Sequence, residues 1–151
     1  MESLPLCVKG PLCRGTSSCN ENNMKFVPVN KHYLYQKVWR NGARKSSSTV
    51  AVYILRDKRA RILAKAHPQH KIVNRIGISA SKKIGGAVQR NRAKRVVREA
   101  YRQLEREQHV RTGWLVVITP YPRAAVCKMD IVKRDLAYCF GKLGLLGTSE
   151  S

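Results

Sequence analysis

Acidic residues are scarce in this chain of 151 residues: Asp and Glu number 9 against 30 Lys and Arg, a formal net charge of +21. A nuclease that works through its own metal ions brings clustered carboxylates to hold them. In the body of the chain the acids are Asp57, Glu99, Glu105, Glu107, Asp130 and Asp135, and no pair of them resembles a metal site. His32, His67, His70 and His109 are scattered and read as exposed polar groups rather than general bases. Long apolar runs are also missing. The longest strongly apolar stretch, Leu115-Val116-Val117-Ile118, falls far short of the roughly 20 residues a membrane span needs. The opening Met1-Glu2-Ser3 carries an early acid and no apolar run follows, unlike a secretory signal. A cytoplasmic protein is expected. Paired cysteines are absent as well: Cys7, Cys13 and Cys19 are evenly spaced, without the C-x2-C pairing of zinc sites, and read as free thiols. Cys127 and Cys139 read as small apolar residues near a helix.

What is present is a core and an excess of positive charge. The hydrophobic fraction of 43% is in the ordinary globular range. A chain at +21 repels itself unless a polyanion offsets the charge, which points to nucleic acid far more than to an anionic membrane surface.

Residues 1–23 hold Cys, Pro, Gly, Ser and Asn without hydrophobic period and read as a disordered extension. Residues 24–147 read as one folded domain and 148–151 as a tail. A first helix is expected between Asn30 as N-cap and Gly42 as a left-handed terminator. It carries Leu34 and Val38 four apart and Tyr35 and Trp39 four apart, an arc too wide for all four to face one core. Thr49 to Leu55 reads as a strand with Val50, Val52 and Ile54 on one face and Ala51, Tyr53 and Leu55 on the other. Arg75 to Ser81 alternates Ile76, Ile78 and Ala80 with Gly77, Ser79 and Ser81. That small, polar face suits either close approach of a ligand or plain solvation. The basic connection Arg56 to Val73 is long for a hairpin, so the strands extend into it or it is mobile. Trp114 to Thr119 reads as a central strand covered on both faces and ended by Pro120 and Pro122. A last helix is expected from Asp130 as N-cap, with Val132, Leu136, Cys139, Phe140 and Leu143 as its stripe and Gly144 and Gly147 closing it.

The stretch from Ser81 to Gln108 carries the strongest signal. Gly85-Gly86 breaks the preceding strand, and a helix of strong formers runs from about Ala87. At 3.6 residues per turn, Ala93, Val97, Ala100, Tyr101 and Leu104 share one face, and Arg95, Arg98, Arg102 and Arg106 share the opposite one, flanked by Arg92 and Lys94. Arg90 falls on the apolar side, in the first turn. Between Lys82 and Arg98 there are seven basic residues and no acid. Solvated helix faces normally mix signs, because like charges four apart repel. Lys94–Arg98, Arg98–Arg102 and Arg102–Arg106 are all like-charged, an arrangement that phosphates would neutralise. The helix N-terminus adds a partial positive charge beside Lys82 and Lys83.

Ser79-Ala80-Ser81-Lys82-Lys83-Ile84-Gly85-Gly86-Ala87-Val88-Gln89-Arg90-Asn91-Arg92-Ala93-Lys94-Arg95-Val96-Val97-Arg98-Glu99 resembles the signature of the bacterial ribonuclease P protein component, with Arg90-Asn91-Arg92 at the place of its RNR motif. The similarity spans roughly residues 24–146. The resemblance implies an α+β sandwich of order α-β-β-β-α-β-α, similar to a small-subunit ribosomal protein domain, with a left-handed βαβ crossover. It implies two RNA partners, the catalytic RNA subunit and the 5′ leader of precursor tRNA, and no obligate protein partner. The chemistry, hydrolysis that frees the mature tRNA 5′ end, would belong to the RNA and its Mg²⁺. By the same resemblance Lys82, Lys83, Arg90, Asn91, Arg92, Lys94, Arg95 and Arg98 would contact RNA. Tyr35, Trp39 and Tyr53 would line a leader cleft, and no residue of this chain would be catalytic. Residues 1–23 have no counterpart in the family, and the 56–73 connection is longer than the family's. A purely structural RNA-binding protein, such as a ribosomal one, would share the charge and fold but leave that signature unexplained.

Overall fold

The alternation of Val50-Ala51-Val52-Tyr53-Ile54-Leu55 and the unbroken apolar run after Trp114 place two strands at the centre of a sheet. A computed structural model describes residues 26–66 and 72–147. The expected extension at 1–23, the tail at 148–151, Cys7, Cys13, Cys19, His67 and His70 lie outside these residues. The elements run β1 (Phe26–Pro28), α1 (His32–Asn41), β2 (Ala43–Ser46), β3 (Val50–Arg56), α2 (Ala60–Ala66), β4 (Asn74–Ile78), α3 (Ala87–Glu107), β5 (Trp114–Pro120) and α4 (Met129–Lys142). Single 3-10 turns at Lys82–Ile84 and Pro122–Ala125 precede α3 and α4. The sheet order is β1-β4-β5-β3-β2, with β1, β4 and β5 parallel and β3 and β2 antiparallel to their neighbours. The basic helix α3 joins the parallel neighbours β4 and β5.

The two faces of the sheet bury different partners. Val52, Ile54, Val116 and Ile118 pack under Val97, Tyr101 and Leu104 of α3 and Val132, Leu136 and Phe140 of α4. Tyr101 and Phe140 meet edge to face with ring centroids 6.0 Å apart. On the opposite face Leu34 and Val38 of α1 pack on Leu115 and Val117. Each such side chain, once buried, contributes about 1.5–3 kcal/mol. The mixed α+β sandwich is therefore helix–sheet–helix, with β5 covered on both sides as its run of apolar residues requires.

Several local expectations give way to tertiary contacts. The first helix starts after Lys31 rather than Asn30, and no side chain caps it. Gly42 is not left-handed: its φ is −87°. A side chain is excluded there because a Cβ would collide with the Val38 carbonyl and lie 2.7 Å from the Ile54 carbonyl. The last helix starts at Met129, so Asp130 sits in its first turn, where it meets the helix dipole, instead of capping it. The strand expected over 75–81 ends at Ile78, and Ala80 packs instead with Ile84, Ala93 and Ala125. The 56–73 connection contains helix α2, whose first turn is set by Asp57: its Oδ1 accepts the Arg59 backbone N–H at 3.0 Å. Strand β1, too short to show a period, adds an edge that pairs Val27 with Arg75.

Asp135 is the one buried acid of α4. Its Oδ2 accepts the Ser48 hydroxyl at 2.8 Å, the Thr49 hydroxyl at 2.7 Å and the Thr49 backbone N–H at 3.1 Å. These bonds tie α4 to the turn that opens β3. Burial alone would raise this carboxyl, but the bonds from Thr49, Ser48 and Ser47 together hold it below the ordinary aspartate value of 3.8. Burial, and then the Asp135 charge, push the neighbouring Cys139 thiol up to about 11, so it behaves as an inert core residue. A folded-state pKa below the unfolded one stabilises the protein above the unfolded value and is lost as pH falls through the folded one. Asp135→Ala is expected to cost about 2–3 kcal/mol near neutral pH, because buried donors lose a charged acceptor. Urea unfolding checks this, and the gap between wild type and variant should narrow as pH drops below 3.8.

Candidate nucleic-acid interface

Helix α3 is amphipathic because one stripe of it is locked into the core. Ala93, Val97, Ala100, Tyr101 and Leu104 are buried, and this fixes the outward direction of everything between them. Asn91, Arg92, Arg95, Arg98 and Arg106 are exposed, and Lys94 is half-buried. Arg90, on the apolar side by angle, is half-buried, and its Nε is shielded without a hydrogen-bond partner. Lys82 and Lys83 are exposed on the 3-10 turn just ahead of the helix. Gly85, with φ of 131°, swings the chain from that turn into α3. No side chain caps the start of α3 and its first turn holds no acid, so the positive end of the dipole is unopposed. The row is not wholly free of opposite charge. Glu99 reaches Arg102 across one turn at 3.8 Å, and Arg102 is half-buried, so among the described residues Arg95, Arg98 and Arg106 are the members of the row without an ion pair.

The aromatic residues of α1 separate by face. Leu34 and Val38 enter the core, Tyr35 is half-buried and Trp39 is 41% exposed. The Tyr35 and Trp39 rings lie 6.0 Å apart and tilted by 51°. Tyr35 donates its hydroxyl to the Val29 carbonyl at 3.1 Å, and burial raises its pKa, so it remains a neutral donor. Its ring lies on bare backbone: a Cβ at Gly77 would stand 2.6 Å from the Tyr35 hydroxyl. The small face expected at Gly77 is thus partly covered by the protein's own Tyr35 ring. Tyr53 lies on the same sheet face, half-buried beside Tyr35's cluster. The Arg44 guanidinium sits 5.5 Å above the Tyr53 ring, a cation–π contact across the β2–β3 ladder.

One cavity of about 210 Å³ brings part of the two sets together: Tyr35 but neither Trp39 nor Tyr53, and Lys94 and Arg98 but not Arg90, Asn91, Arg92 or Arg95. Its lining includes Asn30, Tyr35, Gly77 and Ile78 on the side of α1 and β4, and Lys94, Arg98 and Tyr101 of α3. Two cations of the basic face therefore border the same space as Tyr35 of α1. Lys82 and Lys83 do not line it. The sequence did not single out Arg44 or Asn30. Arg44 was accessible only through the β2–β3 register, which sets it opposite Tyr53. Asn30 carries only a helix-capping signal in the sequence.

In sequence and in fold this chain is similar to known proteins. A family model described as Ribonuclease P matches residues 25–144. The ribonuclease P protein component of Listeria innocua is 31% identical over 116 residues, covering 76% of this chain and 85% of that protein. The one from a Thermoanaerobacter species is 27% identical over 126 residues, covering 83% and 97%. In fold, the chain matches the Staphylococcus aureus RNase P protein with a TM-score of 0.62 at 22% identity, covering 80% of this chain and 97% of that one. The Thermotoga maritima RNase P protein matches with a TM-score of 0.57 at 18% identity, covering 74% and 92%. With a family match over most of its length and relatives covered over 85% and 97% of theirs, this chain belongs to the ribonuclease P protein family.

Proposed function

We propose that the protein binds the catalytic RNA of ribonuclease P through the cationic face of α3 and holds the 5′ leader of precursor tRNA between α1 and the sheet. It thereby assists hydrolytic release of the leader at the mature tRNA 5′ end, with the RNA subunit carrying the chemistry. The observation that supports this most directly is the shared cavity, where Lys94 and Arg98 face Tyr35. Arginine forks suit phosphate oxygens, and aromatic faces accept unpaired bases of any sequence. A single strand needs both kinds of group side by side. On this reading Trp39, next to Tyr35, and Tyr53, under Arg44, extend the stacking surface along the sheet.

The donor set of the described residues does not fit a protein-held Mg²⁺. Among the described residues no three of His, Cys, Asp and Glu stand together as metal ligands do. Asp57 and Asp135 are each turned to hydrogen-bond donors. The Mg²⁺ that the reaction uses is placed, on this reading, with the RNA subunit.

The direct test is reconstitution with the cognate RNA subunit and precursor tRNA at low Mg²⁺. Added protein is expected to raise the cleavage rate over RNA alone, whereas equal rates would point to an RNA-binding protein without a processing role. Arg92→Ala and Arg95→Ala should each weaken binding to the RNA subunit and lower the log–log salt slope by up to about one unit. Filter binding across a salt series reads this, and an unchanged slope would place the phosphates elsewhere. Tyr35→Ala should weaken precursor tRNA binding by about 1–3 kcal/mol, the worth of one stacked base, while mature tRNA binding stays the same. Equal loss for both would remove the leader from this groove.

A further inference from the structure

Helix α1 divides its face of the sheet into two grooves, one lined by Tyr35 and the other by cations around a single ring, Tyr33. With Leu34 and Val38 pointing into the core, helical spacing sends Tyr35 and Trp39 to one flank and Tyr33 and Lys37 to the other. On that second flank lies another cavity of about 210 Å³, between α1 and the segment joining β3 to α2. Tyr33, Lys37, Arg56, Lys58 and Arg59 line it, with the Asp57–Arg75 pair alongside.

The charge of this groove is uncompensated by construction. Asp57 is the only acid between Asn22 and Arg98. It is turned inward, its side chain 5% exposed, and it accepts two bonds from Arg75, at 2.6 Å and 2.8 Å. Its backbone N–H donates to the Gly113 carbonyl at 3.1 Å and its Oδ1 also accepts the Arg59 amide. The acid therefore anchors the segment while its flanking cations turn outward. Arg56, Lys58, Arg59, Arg61 and Lys65 are all exposed. Among the described residues, none of them has an ion-pair partner. Such a set, ordered by a buried ion pair and bearing one half-exposed aromatic ring (Tyr33), suits a phosphate chain better than stacked bases.

We propose that this groove is a second site for the precursor's 5′ leader, taking the backbone of nucleotides further upstream than those in the aromatic groove. The proposal rests on the leader reading above. It commits to the leader because this groove and the aromatic one flank the same helix α1, whereas α3, assigned to the RNA subunit, packs on the opposite face and reaches the aromatic groove only through Lys94, Arg98 and Tyr101. The barrier between the grooves is a single helix about 10–12 Å across, side chains included, which a few nucleotides of single strand span.

The experiment measures affinity of the reconstituted holoenzyme for three RNAs: mature tRNA, a precursor whose short leader ends in the aromatic groove, and one whose long leader runs past it. Wild-type holoenzyme should bind the long leader more tightly than the short. The variant Arg56→Gln/Lys58→Gln/Arg59→Gln should abolish that difference while leaving the short-leader and mature affinities unchanged. Its long-leader salt slope should fall by about 2 units, at about 0.7 per phosphate contact on a single strand. Arg56→Lys/Arg59→Lys, which keeps the charge, should retain the long-leader gain. Loss shared equally by all three RNAs would assign the groove to the RNA subunit and overturn the proposal, as would an unchanged preference for the long leader. Tyr35→Ala on the short leader judges the aromatic groove separately, so failure of the one is distinguishable from failure of the other.

Discussion

Most of what this protein can do follows from holding like charges together on a rigid support. The arginines of α3 repel one another, and an isolated helix with that sequence would lose stability at every such pair. The chain keeps them aligned by burying the opposite stripe, with Tyr101 and Phe140 locked edge to face beneath. The repulsion is thus stored in a part of the molecule that cannot relax by unwinding. Relief comes when an external polyanion supplies the missing charge. The acids do little of that work: Asp135 and Asp57 are turned inward, Glu107 reaches Lys133 of α4, and Glu99 offsets one member of the row, Arg102.

The sheet organises the rest by keeping two chemistries on two faces. One face carries the large core under α3 and α4, and the other carries the smaller cluster under α1. Because α1 covers the sheet only along Leu34 and Val38, ground remains open on both of its flanks. The cavity holding Tyr35, Lys94 and Arg98 shows that the faces are not sealed from each other, since α3 reaches round the β1–β4 side of the sheet to border it.

The features legible in the sequence were those written in long periods. The two central strands, the apolar stripe of α3 and the stripe of α4 each repeat over several turns or strand positions, and tertiary packing reinforced them. The family signature lies on the longest of these elements. What escaped were features decided by a single distant contact. Strand β1 exists because β4 offers an edge, and three residues carry no period of their own. Helix α2 is nucleated by Asp57, which looks in the sequence like an isolated acid in a basic loop. Asp135 shares its helix with the α4 stripe and reads there as one more charge, since its partners lie in the turn before β3. In the binding region, the exposed arginines followed from helical angle alone. The meeting of Tyr35 with Lys94 and Arg98 required knowing that α1 and α3 approach the same end of β4.

The contact between Tyr35 and Gly77 has a consequence for how such chains can diverge. The ring occupies the volume that any side chain at 77 would need, while its hydroxyl is tied to the Val29 carbonyl and holds it there. Positions 35 and 77 are therefore a single decision written at two places: an aromatic at the first compels bare backbone at the second. A descendant that shrank residue 35 would be released to carry a side chain at 77. The two sites would then be expected to change together, and the depth of the groove with them.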